Sequence, residues 1–141
     1  MASDNAKQRG LSRISDFHRS NAWKLSKFEG RFNVITSNGL NIYVADDEKV
    51  IALYKEFFRA LKLGGTLITS FLTPLSVWKD VNPDDAAKQR MLFLTIIGVM
   101  WQNLRSEETT IAQLREAGFV NIRVIYDSRR MFLTVVAIKP V

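Results

Sequence analysis

Few side chains in this sequence are able to do acid–base, nucleophilic or metal chemistry. His18 is the only histidine, and there is no cysteine. The lack of cysteine excludes a thiolate nucleophile, a disulfide framework and a cysteine-ligated zinc site. An imidazole is a suitable general base near neutral pH. However, His18 has no evident partner in the sequence, and we assign it no catalytic role.

Two carboxylate clusters, Asp46-Asp47-Glu48 and Asp84-Asp85, lie where helices are predicted to begin. Negative charge is favourable at a helix N-terminus, where backbone N–H groups lack partners within the helix. We interpret both clusters as helix caps, and the sequence predicts no metal site.

The net charge of +6 is concentrated near the start of the chain, where residues 1–31 carry seven basic and three acidic side chains. A basic segment attracts nucleic acids and anionic surfaces. The charges are scattered, however, and no Lys or Arg run exceeds Arg129-Arg130. We favour a solvated basic face over nucleic-acid binding, and a solvated turn over an anion site at Arg129-Arg130.

The length of 141 residues and the 47% hydrophobic content are typical of one globular domain. The longest nearly apolar run, residues 91–101, is far shorter than the roughly 18 to 20 residues of a membrane-spanning helix. The first ten residues contain no apolar stretch typical of a secretory signal. We therefore expect a cytoplasmic protein with no membrane contact.

Segments of strand length alternate with helical segments, a pattern typical of α/β folds. The predicted elements are, in chain order, a short helix over 3–9, a strand over 14–19, a strand over 32–36, a helix opened by 46–48 and ended by Gly64-Gly65, a strand over 66–71, a helix from about 84 to 104, a helix begun by 106–109 and stopped by Gly118, and a hairpin of strands 121–126 and 131–138.

The predicted helix over 84–104 is apolar on nearly every face from Met91 onward. Such a helix is either enclosed by the protein or exposed to a partner. For Met91, Phe93, Ile97 and Met100 we favour core packing or an oligomer interface over contact with a ligand.

Several short motifs, in this order and spacing, point to a known family. They are Asn21-Ala22-Trp23, the run Arg31 to Tyr43 (RFNVITSNGLNIY), Leu61-Lys62-Leu63-Gly64-Gly65, Leu114 to Phe119 (LREAGF) and the closing hairpin. From Asn21 to Lys139 the chain resembles the C-terminal part of a class I S-adenosylmethionine-dependent methyltransferase. The resemblance implies a three-layer α/β fold, with a partial Rossmann-like sheet that ends in an antiparallel hairpin.

The resemblance also implies that residues 1–141 form one partial methyltransferase domain. The strands at 14–19, 32–36 and 66–71 would be the family's third to fifth, and the hairpin its sixth and seventh. The family's first two strands and helices have no counterpart, and we call that missing portion the N-terminal half. It carries the glycine-rich loop and the acidic residue that hold the cofactor. No G-x-G pattern occurs among the seven glycines.

For cofactor binding, the resemblance implies roles for Asn21, Ala22, Trp23 and Ser37. The Asn21 side chain and the following backbone N–H would contact adenine, and Trp23 would flank the ring. The alternative for Asn21 and Trp23 is a helix cap followed by a core aromatic.

For methyl transfer, the resemblance implies that Asn38 is the catalytic residue, because it would orient an acceptor amine or hydroxyl. The expected substrate-binding residues are Gly39, Leu40, Asn41, Tyr43 and Trp78. The alternative for Ser37-Asn38-Gly39 is a turn selected only for its backbone conformation. For Tyr43 and Trp78 the alternative is plain packing.

The expected function is therefore S-adenosylmethionine-dependent methyl transfer to an acceptor that the sequence does not identify, with a small molecule as one alternative. Without the N-terminal half, the chain is expected to bind little cofactor and to be inactive alone. The alternative is a non-catalytic interaction module that uses an exposed sheet edge and the apolar helix.

The strand over 32–36 would lack its neighbour, and an open strand edge promotes association. We therefore expect a homodimer, or a complementing N-terminal half. The basic segment 1–31 is expected to be displaced, or exchanged between two chains.

Overall fold

A computed structural model of the chain describes residues 2–98 and 103–141. Its helices are α1 (Ala2–Gln8), α2 (Asp47–Ala60), α3 (Pro83–Met91) and α4 (Glu107–Glu116). Its strands are β1 (Phe32–Ser37), β2 (Leu61–Leu72), β3 (Val120–Ile125) and β4 (Phe132–Ile138). Short 3-10 helices cover Ser26–Phe28, Leu40–Tyr43 and Leu75–Val77.

The four strands form one mixed sheet in the order β1-β2-β4-β3. β1 and β2 are parallel and are joined through α2, while β2 pairs with β4, and β4 with β3, in antiparallel fashion. The expected α/β fold with a partial Rossmann-like sheet ending in an antiparallel hairpin is confirmed.

Helix α2 begins as its sequence predicts. Asp46 is the N-cap residue, and its carboxylate accepts hydrogen bonds from the backbone N–H groups of Glu48 and Lys49 at 2.9 and 3.3 Å. Val50, Tyr54 and Phe57 form the buried face, packed against the sheet and α4. The caps at Asn82 and Ser106 are also present, since their side chains accept from the N–H groups of Asp84 and Thr109.

The prediction that Gly64-Gly65 ends the helix is wrong. α2 stops at Ala60, and both glycines lie inside β2. Pairing with β1 jumps from Phe32–Leu61 to Val34–Thr66, so the glycines belong to a bulge in β2. A Cβ atom on Gly65 would lie 2.8 Å from the Lys62 carbonyl oxygen, so this close backbone approach requires glycine.

The prediction of one helix from about Asp84 to Leu104 is also wrong in its second half. α3 ends at Met91 and continues only as a π-helical turn over Leu92–Ile96. Residues 103–105 are not helical, because their backbone bonds to other parts of the chain. Met91 and Ile97 are exposed, which excludes core packing for these two within the described chain. The Phe93 side chain and residue Met100 lie outside the described part.

The predicted strand over 14–19 is not formed. These residues are irregular and lie outside the sheet. Ile14 is 81% exposed, and the side chains of Asp16 and His18 bond to each other. The segment lacks a neighbouring strand in the described structure, so nothing there completes a ladder.

The core lies on one face of the sheet, between β2, β4 and the helices α2 and α4. Its fully buried members include Leu53, Leu67, Leu114 and Val135. β1 stands at one end of the strand order, with Phe32 38% and Val34 52% exposed. Within the described residues, no helix has the length and apolarity needed to span a bilayer.

Candidate functional site

The polar segment after β1 is fixed to the neighbouring strand. The Ser70 hydroxyl of β2 donates to the Asn38 Oδ1 at 3.2 Å. Gly39 has φ +72°, and a Cβ atom at this position would lie 2.8 Å from the Ile42 Cδ1 atom. A left-handed backbone beside a close neighbour favours glycine. The Ser37-Asn38-Gly39 turn is therefore held in one conformation at the carboxyl end of β1.

The 3-10 helix over Leu40–Tyr43 continues from this turn. Tyr43 is exposed, whereas Asn41 is only 1% exposed. The Asn41 side-chain amide lacks a hydrogen-bond partner among the described residues. Tyr43 therefore faces the surface, while Asn41 lies beneath it.

Arg105 anchors the segment from below. It is 5% exposed and donates to the backbone carbonyls of Asn41 at 3.0 Å and Val44 at 2.6 Å. Its Nε also donates to the Asp47 carboxylate at 2.8 Å, and Gln113 of α4 donates to the same oxygen at 3.0 Å. One buried guanidinium thus ties the candidate site to the first turn of α2.

Asn103 adds a second anchor. Its backbone N–H and its side-chain amide both donate to the carbonyl of Ile42, at 2.9 and 2.8 Å. The backbone N–H of Arg105 donates to the Leu72 carbonyl, at the end of β2. Asn103 and Arg105 lie where the chain returns to the sheet after β2. They therefore fix the position of the segment from Asn41 to Val44.

Tyr54 of α2 is fully buried near this network. Burial raises the pKa of its phenol well above the ordinary value, and the positive charge of Arg105 opposes that effect. Its hydroxyl is unpartnered among the described residues. Tyr54 therefore stays neutral and contributes packing to the site.

The Asn21-Ala22-Trp23 segment lies against the first turns of α2. The Asn21 Oδ1 accepts from the Trp23 backbone N–H at 2.9 Å, as in a local cap. The Trp23 indole N–H donates to the Lys49 carbonyl at 3.0 Å, and Trp23 and Ala22 pack on the core. The packing alternative accounts for the Trp23 contacts, and the adenine role stays a prediction.

Trp78 lies in the excursion after β2 and turns back toward that strand. Its indole N–H donates to the Thr73 carbonyl and hydroxyl at 3.2 and 3.1 Å. Its ring is partly buried. A substrate contact through Trp78 stays a prediction.

The structure brings two of the predicted groups to the same end of α2. Ser37 to Tyr43 leads into its N-terminus, and Trp23 contacts Lys49 in its first turn. Trp78 makes its hydrogen bonds with Thr73 instead. Ligands of open α/β sheets bind at the carboxyl ends of the strands. The arrangement places polar groups in fixed positions at this end of the sheet, where they are suited to bind and orient a ligand.

Sequence reasoning missed Ser70 and Arg105. Ser70 had a usable signal, since alternation within β2 places it with Thr66 and Ile68 on the face opposite Leu67. Arg105 had none, because its partners lie about sixty residues away in the chain. Among the described residues, no three His, Asp or Glu side chains are placed to hold a metal ion.

Comparison with known proteins gives structural relatives only, because no protein-family model and no curated protein matches the sequence. A possible exported protein from Bordetella parapertussis is 41% identical, with a TM-score of 0.91 over 99% of this chain and 49% of its own. A putative O-methyltransferase from Nostoc punctiforme is 17% identical, with a TM-score of 0.71 over 98% of this chain and 41% of its own.

An S-adenosylmethionine-dependent methyltransferase from Methanosarcina mazei is 19% identical, with a TM-score of 0.70 over 99% of this chain and 76% of its own. The chain spans about half the length of the Bordetella protein and about two fifths of the Nostoc protein. The chain therefore has the class I fold of S-adenosylmethionine-dependent methyltransferases.

Proposed function

We propose that this chain is the acceptor-side part of an S-adenosylmethionine-dependent methyltransferase that acts on a small molecule. The carrying observation is the segment Ser37 to Tyr43, held rigidly at the carboxyl end of β1 within a methyltransferase fold. A methyl transfer needs the acceptor in line with the sulfonium methyl. Positioning of this kind lowers the free-energy barrier of the reaction by about 7 to 11 kcal/mol.

In this proposal Asn38 orients the acceptor. Its Oδ1 already accepts from Ser70, which fixes the plane of the amide. Tyr43, which is exposed, and Trp78 border the acceptor, while Gly39 and Leu40 provide close backbone approach. The acceptor attacks the methyl carbon as the carbon–sulfur bond breaks, which releases S-adenosylhomocysteine and a proton from the acceptor.

The cofactor would contact Asn21, Ala22, Trp23 and Ser37 on the adenine side. The glycine-rich loop and the ribose carboxylate belong to the N-terminal half, which this sequence does not contain. In this proposal residues 1–141 by themselves bind S-adenosylmethionine weakly and are inactive, and activity needs those elements as well. A cytoplasmic location is part of the same proposal.

Calorimetry with S-adenosylhomocysteine tests the proposal on the chain alone and on its complex with a co-expressed N-terminal half. We expect little binding to the chain and micromolar or tighter binding to the complex. Tight binding to the chain alone contradicts the division of the site between two halves. No binding to a folded complex contradicts the function.

A second candidate function is a non-catalytic interaction module. It is favoured by the cluster of exposed apolar side chains Met91, Leu94, Ile96 and Ile97 at the end of α3. Under this alternative, replacing Ile96 and Met91 by Ser abolishes association with a partner protein. The folded complex would then bind no S-adenosylhomocysteine.

A further inference from the structure

One dipeptide in the turn after β1 is chemically reactive. Asn38-Gly39 is the only place in the sequence where an asparagine precedes a glycine. A side-chain amide in this position reacts with the backbone nitrogen that follows it, because glycine has no Cβ atom to block the approach. Asn38 is exposed to solvent. Water therefore reaches the side-chain amide.

The reaction is deamidation, and its only co-reactant is water. The Gly39 nitrogen loses its proton to hydroxide and forms a bond to the Asn38 Cγ atom. The bond from Cγ to Nδ2 breaks, and the leaving nitrogen takes a proton from water and departs as ammonia. Water then opens the cyclic imide. Cleavage between the nitrogen and Cγ gives aspartate, and cleavage between the nitrogen and the backbone carbonyl carbon gives isoaspartate.

A hydrogen bond ties the Asn38 side chain to the neighbouring strand. The Ser70 hydroxyl of β2 donates to the Asn38 Oδ1 at 3.2 Å. Ring closure requires the side chain to turn onto its own backbone, whereas this bond holds its oxygen beside β2. We therefore expect Asn38 to release Ser70 before its Cγ atom reaches the Gly39 nitrogen.

The Gly39 nitrogen is also held in an unreactive state. Its N–H donates to the Ser37 carbonyl at 3.1 Å, and the Gly39 carbonyl accepts from the Ile42 N–H at 3.0 Å. A donated hydrogen bond stabilises the N–H form and opposes the loss of its proton. Gly39 is buried, and a Cβ atom there would lie 2.8 Å from the Ile42 Cδ1 atom. The turn must therefore open before the nitrogen attacks.

We propose that Asn38 is a deamidation site and that Ser70 is the residue that keeps it an amide. The dipeptide supplies the reaction, while the Ser70 hydrogen bond and the turn at Gly39 slow it. The rate in the native chain is set by local opening of this turn, because only the open form reacts.

The two products change the turn in different ways. Aspartate places a negative charge at the position of the amide and removes its two N–H donors. Isoaspartate adds a carbon atom to the backbone before Gly39 and so disturbs the packing of Gly39 on Ile42. In the proposed enzyme, either product removes the group that orients the acceptor. Only this consequence rests on the proposed function.

Peptide mapping by mass spectrometry tests the proposal on the full 141-residue chain. The chain is kept at mildly alkaline pH, and the conversion of Asn38 is followed in native buffer and in guanidinium chloride. Conversion should be at least about tenfold slower in the native chain, because a held turn opens rarely. Equal rates in the two states would overturn the proposal, and this comparison needs no substitution.

Ser70→Ala isolates the contribution of the hydroxyl. Loss of one neutral hydrogen bond should raise the rate in the native chain about three- to tenfold. Thr66→Ala is the matched control, because Thr66 lies on the same face of β2 and is half-buried, as Ser70 is. It should change the rate less than about twofold. Ser70→Thr keeps the hydroxyl and should convert at the wild-type rate.

An unchanged or lower rate in Ser70→Ala overturns the proposal, and a lower rate would show that the hydroxyl assists the attack by polarising the Asn38 amide. Equal increases in Ser70→Ala and Thr66→Ala also overturn it, because both would then act by loosening the sheet. Circular dichroism checks that each variant is folded. If Ser70→Ala does not fold, Ser70→Cys replaces it and should also raise the rate, because a thiol is a weaker donor. Methyl transfer plays no part in these rates, so failure of the proposed function would leave them unchanged.

Discussion

The Arg105 guanidinium donates a hydrogen bond to the backbone carbonyl of Asn41 at 3.0 Å, which joins a return segment of the chain to the loop after β1. The same guanidinium satisfies the Val44 carbonyl. A charge this deeply buried stays favourable only while all its partners are present.

Replacing Arg105 by Met should therefore lower the free energy of unfolding by about 3 kcal/mol, because buried carbonyls lose a charged donor. Urea denaturation measures the change. Arg115→Met, at an exposed position of α4, is the control and should cost under about 0.5 kcal/mol. Similar losses for both variants would contradict the role of Arg105.

Gly39→Ala should destabilise the protein by about 1 to 2 kcal/mol, since φ is +72° and the new Cβ atom meets Ile42. Gly10→Ala is the matched control, with φ +69° and no atom within 4 Å of the new Cβ. Thermal unfolding should show the larger loss for Gly39→Ala. Adding Ile42→Val, which removes the Cδ1 atom, should reduce the stability loss of Gly39→Ala to that of Gly10→Ala.

Tyr126 should titrate above the ordinary tyrosine range. Its hydroxyl donates to both carboxylate oxygens of Glu107, at 3.0 and 2.8 Å, and this bond raises the pKa of the phenol. The contact therefore stabilises the fold below about pH 10 and is lost as the pH rises through the folded-state pKa. Ultraviolet titration should show that Glu107→Gln lowers the pKa of Tyr126. An unchanged titration curve would exclude the carboxylate as the cause.

The roles of Asn21 and Asn38 should separate in the assembled enzyme. Asn21→Ala should weaken the binding of S-adenosylhomocysteine, and Asn38→Ala should mainly lower the turnover number. Calorimetry and initial rates distinguish the two effects. The reverse pattern would show that the two roles are exchanged. Gln8→Ala, on the exposed surface of α1, is the control and should change neither quantity.

Residues 1–141 should self-associate through the uncovered edge of Phe32 to Thr36. Exposed apolar side chains there forgo about 1.5 to 3 kcal/mol each of burial. Light scattering at micromolar concentration should show a weak dimer that Val34→Lys makes monomeric. A monomer at every concentration would show that the edge is closed by other means.

The elements that the sequence predicts best are those with local signals. Helices begin near Asp46, Asp84 and Ser106 as predicted, because a helix start depends only on residues two or three positions away. The strand pattern of 32–36 and the closing hairpin are confirmed for the same reason.

The elements predicted wrongly depend on distant partners. Gly64-Gly65 is a common helix stop, but here Lys139 closes α2, with its ammonium bonded to the carbonyls of Phe58 and Leu61 at 2.9 and 2.8 Å. Gly64 and Gly65 are therefore not needed to end the helix, and they form the bulge in β2. The segment 14–19 has apolar residues but no neighbouring strand, and pairing decides whether such a segment becomes a strand.

At the candidate site the sequence predicts where the turn after β1 lies but not the contacts that hold it, and the role of its residues stays a prediction. Asn38 and Tyr43 follow a strand and lie near the surface, as the pattern indicates. The burial of Asn41 depends on packing across the chain, and short-range patterns carry no information on it.

The two ends of the segment between Leu72 and Arg105 are joined by a 2.9 Å hydrogen bond from the Arg105 N–H to the Leu72 carbonyl. The entropy needed to close such a loop grows only slowly with its length. A change in the length of this segment should therefore cost little stability while the sheet stays the same. In the proposed enzyme, a change in the residues between Leu72 and Arg105 would therefore alter the acceptor side without a change in the sheet.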